Sequence, residues 1–253
     1  MSSAGQRSVV AVGSGKGGVG KSTVALHLAL ALRRRGLAIG LLDADFYGPD
    51  IPLMVNLMRD EPASRWNFWR QGDVALEPVE REGIRIMSVG FLVGEHQALT
   101  MQAPLLTAAI RQLVNGVDWG DVEILLVDLP PGTADLQQQL LDVVQLDGAI
   151  IVVGPQDVAH LDARKFVDFL EAAKVPVLGA VENMSGLVCP HCGECISVFE
   201  PAASARTIWS DGVTKLGAVA MEPHSPSERG WQEPAFDAIA AVTTEQLERR
   251  HAA

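Results

Sequence analysis

Apolar residues in this chain come in short unbroken runs, and between the runs they recur at helical spacing. SVVAVGS (8–14) and LAIGLLDAD (37–45) are two such runs, and 83–89, 122–128, 149–154 and 175–181 are others. Each predicts a buried strand, and 216–221 predicts a last one. Helical spacing predicts helices over 22–35 (ended by Gly36), 103–115, 135–144, 158–174 and 234–249. Strands without polar alternation, separated by helices, indicate a parallel sheet covered on both faces. The expected fold is therefore α/β: a mostly parallel central sheet flanked by helices on both faces, in one domain over 1–253. No internal repeat or low-complexity tract interrupts it. The segments 46–82 and 184–213 fit neither period and read as loop-rich insertions.

Composition narrows the function. At 253 residues and 48% hydrophobic content the chain can bury a substantial core. Aromatics make up only 5%, so that core must be built mainly from Val, Leu, Ile and Ala. A formal charge of −11 argues against gripping nucleic acid, which needs basic surface to neutralise phosphate. MSSAGQRSVVAVGS does not read as a secretory leader, lacking a basic start followed by a long apolar run, and no run reaches the roughly 18 apolar residues of a spanning helix. The expectation is a cytoplasmic protein without membrane partners, in a reducing compartment where clustered thiols favour metal over disulfide.

GSGKGGVGKST (13–23) carries the first chemistry. Gly15, Gly20, Lys21 and Ser22 fit the phosphate-loop spacing, with a strand before and a helix after. Gly15, Gly17, Gly18, Val19 and Gly20 supply backbone that wraps phosphate, and the helix start points its N–H groups at the anion. Lys21 is placed to reach the β- and γ-phosphates, Ser22 to hold Mg²⁺ and Thr23 to contact the α-phosphate. Asp128, after the run ILLV, stands where a carboxylate holds a Mg²⁺-bound water. Asp43 and Asp45 end another strand, on the edge where parallel sheets bind ligands. PPGT (130–133) is a candidate switch, with Gly132 giving it freedom. No guanine signature is visible, so ATP is favoured over GTP. Asn183 is read as lying just past a strand, where ATPases that this sequence resembles use an Asn on adenine; a turn residue is the other reading.

The second chemistry is VCPHCGECISVF (188–199), which holds all three cysteines within seven residues. Cys189-x2-Cys192 is a chelating spacing on a turn favoured by Pro190 and Gly193. Cys195 repeats the interval and is a possible further ligand. Zinc sites and 4Fe–4S clusters usually take four protein ligands. One chain offers three thiols and a doubtful His191; two chains offer Cys189 and Cys192 twice. Either a shared iron–sulfur cluster or a zinc ion satisfies that count.

The extra lysine in GKGGVGKS makes the loop resemble the deviant phosphate-loop ATPases of ParA and MinD type. That resemblance implies that Lys16 crosses a dimer interface to the partner's nucleotide, that Asp45 orients the attacking water and that Asp43 supports the metal shell. GSGKGGVGKST, DADFYGPDIP, GVDWGDVEILLVDLPPGTAD, LDGAIIVVGPQDVAHLDARK and VPVLGAVENMSGLVCPHCG together resemble the Mrp/ApbC family of iron–sulfur carriers. Over about residues 8–200 the resemblance implies a slow, switch-like ATPase. It further implies a homodimer bridged by a 4Fe–4S cluster on Cys189 and Cys192 of each chain, with cluster donors and apo-protein clients as partners. A partitioning or positioning ATPase, or a nucleotide-binding module with structural zinc, are the competing readings. The sequence departs from the family pattern at TMQAP (100–104), at Ala134, at the added Cys195 and over LGAVAMEPHSPSERG. Trp66, Phe68 and Trp69 are expected to fold over the core, Ile239, Val242 and Leu247 to pack a closing helix on the sheet, and His27 and His160 to serve packing.

Overall fold

The computed structural model describes residues 7–46, 48–57, 76–91, 103–131, 135–189, 191–221 and 233–252. The expectations for TMQAP before residue 103, for the aromatic cluster at 65–71, for Gly132 and Ala134, and for the stretch 222–230 lie outside those residues.

Among the described residues the unbroken apolar runs form the body of a nine-stranded sheet. β1 (Ser8–Gly13), β2 (Ile39–Asp43), β5 (Ile124–Asp128) and β6 (Gly148–Val153) are buried along their whole length. β3 (Val79–Arg81), β4 (Ile84–Ser88) and β7 (Val177–Val188) extend the sheet to the order β3-β4-β2-β5-β1-β6-β7. β8 (Cys195–Ile196) and β9 (Lys215–Met221) both pair with β7. Among the described strands only β3–β4 and β7–β8 are antiparallel. Parallel neighbours require crossovers, and α1 (Lys21–Arg34), α3 (Ala103–Asn115), α4 (Asp135–Val143) and α5 (Asp157–Ala172) supply them. Right-handed connection puts α1 on one face and α3, α4 and α5 on the other. α6 (Glu233–His251) packs on α1, β7 and β9.

α1 is apolar nearly all round because it is covered on both sides. Val24, Leu28 and Leu32 are fully buried, and so are Ala25 and Ala29. His27 stacks on Phe236 of α6, with ring centroids 5.0 Å apart. Ile239 and Leu247 of α6 are buried and Val242 partly so, as their spacing predicts. Burial of each such Val, Leu or Ile contributes about 1.5–3 kcal/mol.

Three sequence-based expectations are corrected. The strand expected over 37–45 is confined to Ile39–Asp43. The segment expected as a loop from 184 begins as strand, because β7 runs on to Val188 once β9 and then β8 supply partners. The segment 46–82 contains α2 (Ile51–Met54) and the edge strand β3. Among the described residues no helix is long and apolar enough to cross a membrane.

Candidate functional site

The loop between β1 and α1 is shaped by two close approaches. A Cβ on Gly15 would lie 2.1 Å from the carbonyl oxygen of Asp162 in α5, so the loop's entry lies directly on that helix backbone. Gly20 has φ 81°, a left-handed conformation that glycine adopts without steric penalty. It hands the chain to Lys21, the first residue of α1, whose first turn carries no acidic side chain. The positive end of the helix is thus left for an external anion.

Lys16, Gly17, Gly18, Gly20, Lys21, Ser22 and Thr23 line one cleft of about 210 Å³ together with Asp45. Asp50, Met54 and Pro131 complete its lining. Val19 is buried and Gly15 is held under α5. Pro131 of the candidate switch stands beside Gly17, 3.8 Å from the position of a Cβ there.

Beneath the cleft lies a buried charge cluster. Lys21 Nζ is 2.6 Å from Asp128 Oδ1 and 3.7 Å from Asp45 Oδ2, with all three side chains almost wholly buried. Asp43 and Asp128 sit in register on β2 and β5. Burial, then the neighbouring Asp128 charge, raises Asp43 to about 8. Asp128 is also raised by burial, against the opposing pull of Lys21 and the Ser22 hydroxyl. Ser88 Oγ bonds Asp43 Oδ2 at 2.8 Å and accepts the Gly90 N–H at 2.9 Å. Asp45 N–H donates to Asp43 Oδ1 at 3.2 Å, so Asp43 fixes the backbone that presents Asp45. Asp128 Oδ2 is buried with no hydrogen-bond partner among the described residues. That orphan oxygen, beside the Ser22 hydroxyl, is a hard donor set of the kind that suits Mg²⁺.

Asn183 is not past the strand but within β7, opposite Val219 of β9. The turn reading is therefore corrected: its side chain is buried and its Nδ2 donates to the Val19 carbonyl at 2.8 Å.

The cysteines lie on a separate hairpin continuing β7. The Cys189 N–H donates to the Glu194 carbonyl at 2.8 Å, and the Gly193 N–H returns to the Cys189 carbonyl at 2.9 Å. Cys195 on β8 faces Val188, with its Sγ over Gly186. All three are free; Cys192 and Cys195 are exposed and Cys189 is half-buried. The backbone N–H groups of Cys192 and His191, with the Cys192 thiol, hold Cys189 below the usual thiol range. This favours the thiolate that a metal needs. Among the described residues no three His, Cys, Asp or Glu side chains converge on one metal position.

The segment after the hairpin is fastened to α5. Asp157 accepts from the Ala203 N–H at 2.9 Å and pairs with Arg206 at 2.8 Å. His160, buried edge-on to Trp209, accepts the Ile208 N–H on Nδ1 at 3.3 Å. Arg164 pairs with Asp211 at 2.5 Å and reaches the Ala205 and Thr207 carbonyls.

The arrangement has known counterparts. A model of the NUBPL iron-transfer P-loop NTPases, of ParA type, matches residues 5–250. The chain belongs to that family. The resemblance drawn from the motifs is thereby borne out. Among members of this iron-transfer family, a mitochondrial iron–sulfur protein required for NADH dehydrogenase in Arabidopsis thaliana is 42% identical over 219 residues, 86% of this chain and 68% of that protein. An iron–sulfur cluster carrier protein of Pseudomonas fragi is 39% identical over 227 residues, 88% of this chain and 77% of its own. A nucleotide-binding protein of Archaeoglobus fulgidus solved with ADP superposes with TM-score 0.68 at 32% identity, covering 94% of this chain and 88% of that one. The cell-division ATPase MinD of Pyrococcus furiosus shares the fold at TM-score 0.67 and 17% identity, over 94% and 98% of the two chains.

Proposed function

We propose that the chain is an ATP-hydrolysing iron–sulfur carrier that binds a 4Fe–4S cluster between two copies of itself and passes it to apo-proteins. One observation carries the reading. A phosphate cleft and a thiol pair share one chain, and among the described residues no third His, Cys, Asp or Glu side chain of the same copy joins the thiols at one metal position. Two copies supply Cys189 and Cys192 twice, the four ligands that a four-iron cluster takes.

In the cleft, Lys21 binds and neutralises the β- and γ-phosphates, drawn away from Asp128 when they arrive. Thr23 contacts the α-phosphate. Ser22 and Asp128 hold Mg²⁺, which when bound offsets phosphate charge. Asp43 supports that shell and, through the Asp45 N–H, positions Asp45 to orient a water for attack on the γ-phosphate. Lys16 at the cleft mouth reaches the nucleotide of the second copy. Asn183 is retained as a base-side contact only through its hold on the loop.

A partner surface is supported by where exposed apolar side chains fall. Leu53, Val158, Leu161, Ile196 and Val198 are all about half exposed or more. They lie on segments that follow β2, β6 and β7, the same sheet edge that carries both sites. The partners proposed are a second copy, cluster donors and apo clients. Nucleic acid and membrane have no part in the proposal, and the cytoplasm is the proposed location.

Anaerobic reconstitution tests this. The expected product is a brown dimer with about two irons per chain, whose colour is lost in Cys192→Ala and kept in Cys195→Ser. A fully metallated sample that stays monomeric in light scattering overturns it. So does one tightly bound zinc per dimer with no iron uptake.

A further inference from the structure

We propose that Asn183 is a positioning residue that ties the thiol hairpin to the state of the phosphate loop. This rests on the reading above, in which nucleotide fills the cleft and metal the hairpin.

The link is continuous and short. Asn183 Nδ2 holds the Val19 carbonyl at 2.8 Å. The same nitrogen is 2.3 Å from where a Cβ on Gly20 would stand, so the amide is wedged against the loop at the two residues before Lys21. A loop that tightens around phosphate must carry this amide with it or break the bond. In either case the change enters β7.

Past Asn183, β7 is kinked. Met184 has φ 58°, a left-handed conformation that a side chain of its size rarely adopts. Pairing with β9 slips there: Asn183 faces Val219 and Leu187 faces Met221, so β7 advances four residues while β9 advances two. Such a bulge bends its strand and frees it locally from the ladder. Leu187 and Val188 then pair with Ile196 and Cys195, and Cys189 follows. Gly186, in the kink, lies directly beneath Cys195, whose Sγ is 2.5 Å from the position of a Cβ there. A shift at Asn183 therefore reaches the hairpin through five bulged or edge residues, with no intervening loop to absorb it. A strand residue serving packing alone would have no reason to place its donor on a ligand-binding loop.

The test uses metal-free full-length protein, with Mg-ATP as the probe of one site and iodoacetamide as the probe of the other. Alkylation rates of Cys189 and Cys192 are read separately by mass spectrometry, without nucleotide and at ATP saturating for each variant. In the wild-type protein ATP is expected to change these rates about fivefold, the lower end of ordinary coupling between sites. Asn183→Asp keeps the volume but sets an acceptor against the Val19 carbonyl; its ratio is expected to fall to one although ATP still saturates. Met184→Gly keeps the amide and prefers the left-handed backbone, so it folds but lets the kink flex; its ratio is expected to lie between the two. A wild-type ratio of one overturns the proposal, and so does a wild-type ratio retained in Asn183→Asp. Should Asn183→Asp fail to fold, an undiminished ratio in Met184→Gly overturns it. Iron uptake is measured apart: a chain that takes no iron yet shows the ATP-dependent thiol response sinks the carrier reading and leaves this link standing.

Discussion

The phosphate cleft and the thiol hairpin are built on opposite principles. Beneath the cleft the charged groups are buried and mostly answered within the chain: Lys21 by Asp128 and Asp45, Asp43 by Ser88 and the Asp45 N–H. The hairpin is two residues of β8 on the end of β7, with two thiols in solvent and, among the described residues, no third ligand drawn in. The cleft is pre-organised by a nine-stranded sheet, and the hairpin by a single turn. A charge cluster paired inside one chain needs a rigid frame. A thiol site that, on the reading proposed above, is completed by a second chain must leave its ligands on an accessible edge.

Lys21→Ala should have the largest effect on the cleft. It strands two carboxylates in a buried place, which costs about 3–5 kcal/mol when one partner of a buried pair is lost. It also removes the cation at the transferring phosphate, so turnover should fall at least about 100-fold. Phosphate release and urea unfolding read the two losses; normal turnover would remove Lys21 from its role.

Gly15→Ala should come next. Its methyl would meet the Asp162 carbonyl at 2.1 Å, and overpacking against backbone costs about 1–3 kcal/mol or more. Gly17→Ala is the control, since its nearest neighbour is Pro131 at 3.8 Å. Equal urea midpoints for the two would contradict the packing of the loop on α5.

Ser88→Ala should be milder. Loss of its bond to Asp43 costs about 1 kcal/mol, and the Asp45 backbone loses its brace. kcat should drop while KM for ATP holds; the reverse pattern would assign Ser88 to binding.

The smallest effect belongs to the segment after the hairpin. The Ala203 N–H and Arg206 hold Asp157 below the ordinary carboxylate range, and Arg164 does the same for Asp211. A lowered folded-state pKa adds stability above the unfolded value, about 3.9, and this is lost as pH falls through the folded value. Amide protection over 203–211, corrected for the intrinsic pH dependence of exchange, should therefore fall below about pH 4 and hold steady between pH 6 and 8. Asp157→Asn should abolish much of that pH dependence.

What the sequence made legible follows from the range of the forces involved. The strands were readable because a doubly covered strand is apolar along its interior, as Val9–Val12 of β1, Ile124–Val127 of β5 and all of β6 are. The phosphate loop was readable because glycines at fixed spacing have few other uses. Asp43, Asp45 and Asp128 were readable as polar residues ending such runs. Ser88, Asp50 and Met54 carried no local signal, since their places depend on partners far along the chain. The same holds for Asp157, His160 and Arg164, which looked like an ordinary helix face and turn out to fasten residues 203–211. The extension of β7 to Val188 was hidden because polar Glu182, Asn183 and Ser185 interrupt its apolar run. Only the arrival of β9 and β8 alongside makes those residues strand.

The exposed position of the sulfurs has a practical edge. Cys189, half-buried and favoured as thiolate, sits three residues from an exposed Cys192. Oxygen reaches such sulfurs as readily as iron does, and thiolates oxidise first. Protein handled in air should thus accumulate sulfur–sulfur links within and between molecules, visible as extra bands on a non-reducing gel. The bench atmosphere then decides which chemistry the hairpin has left to offer.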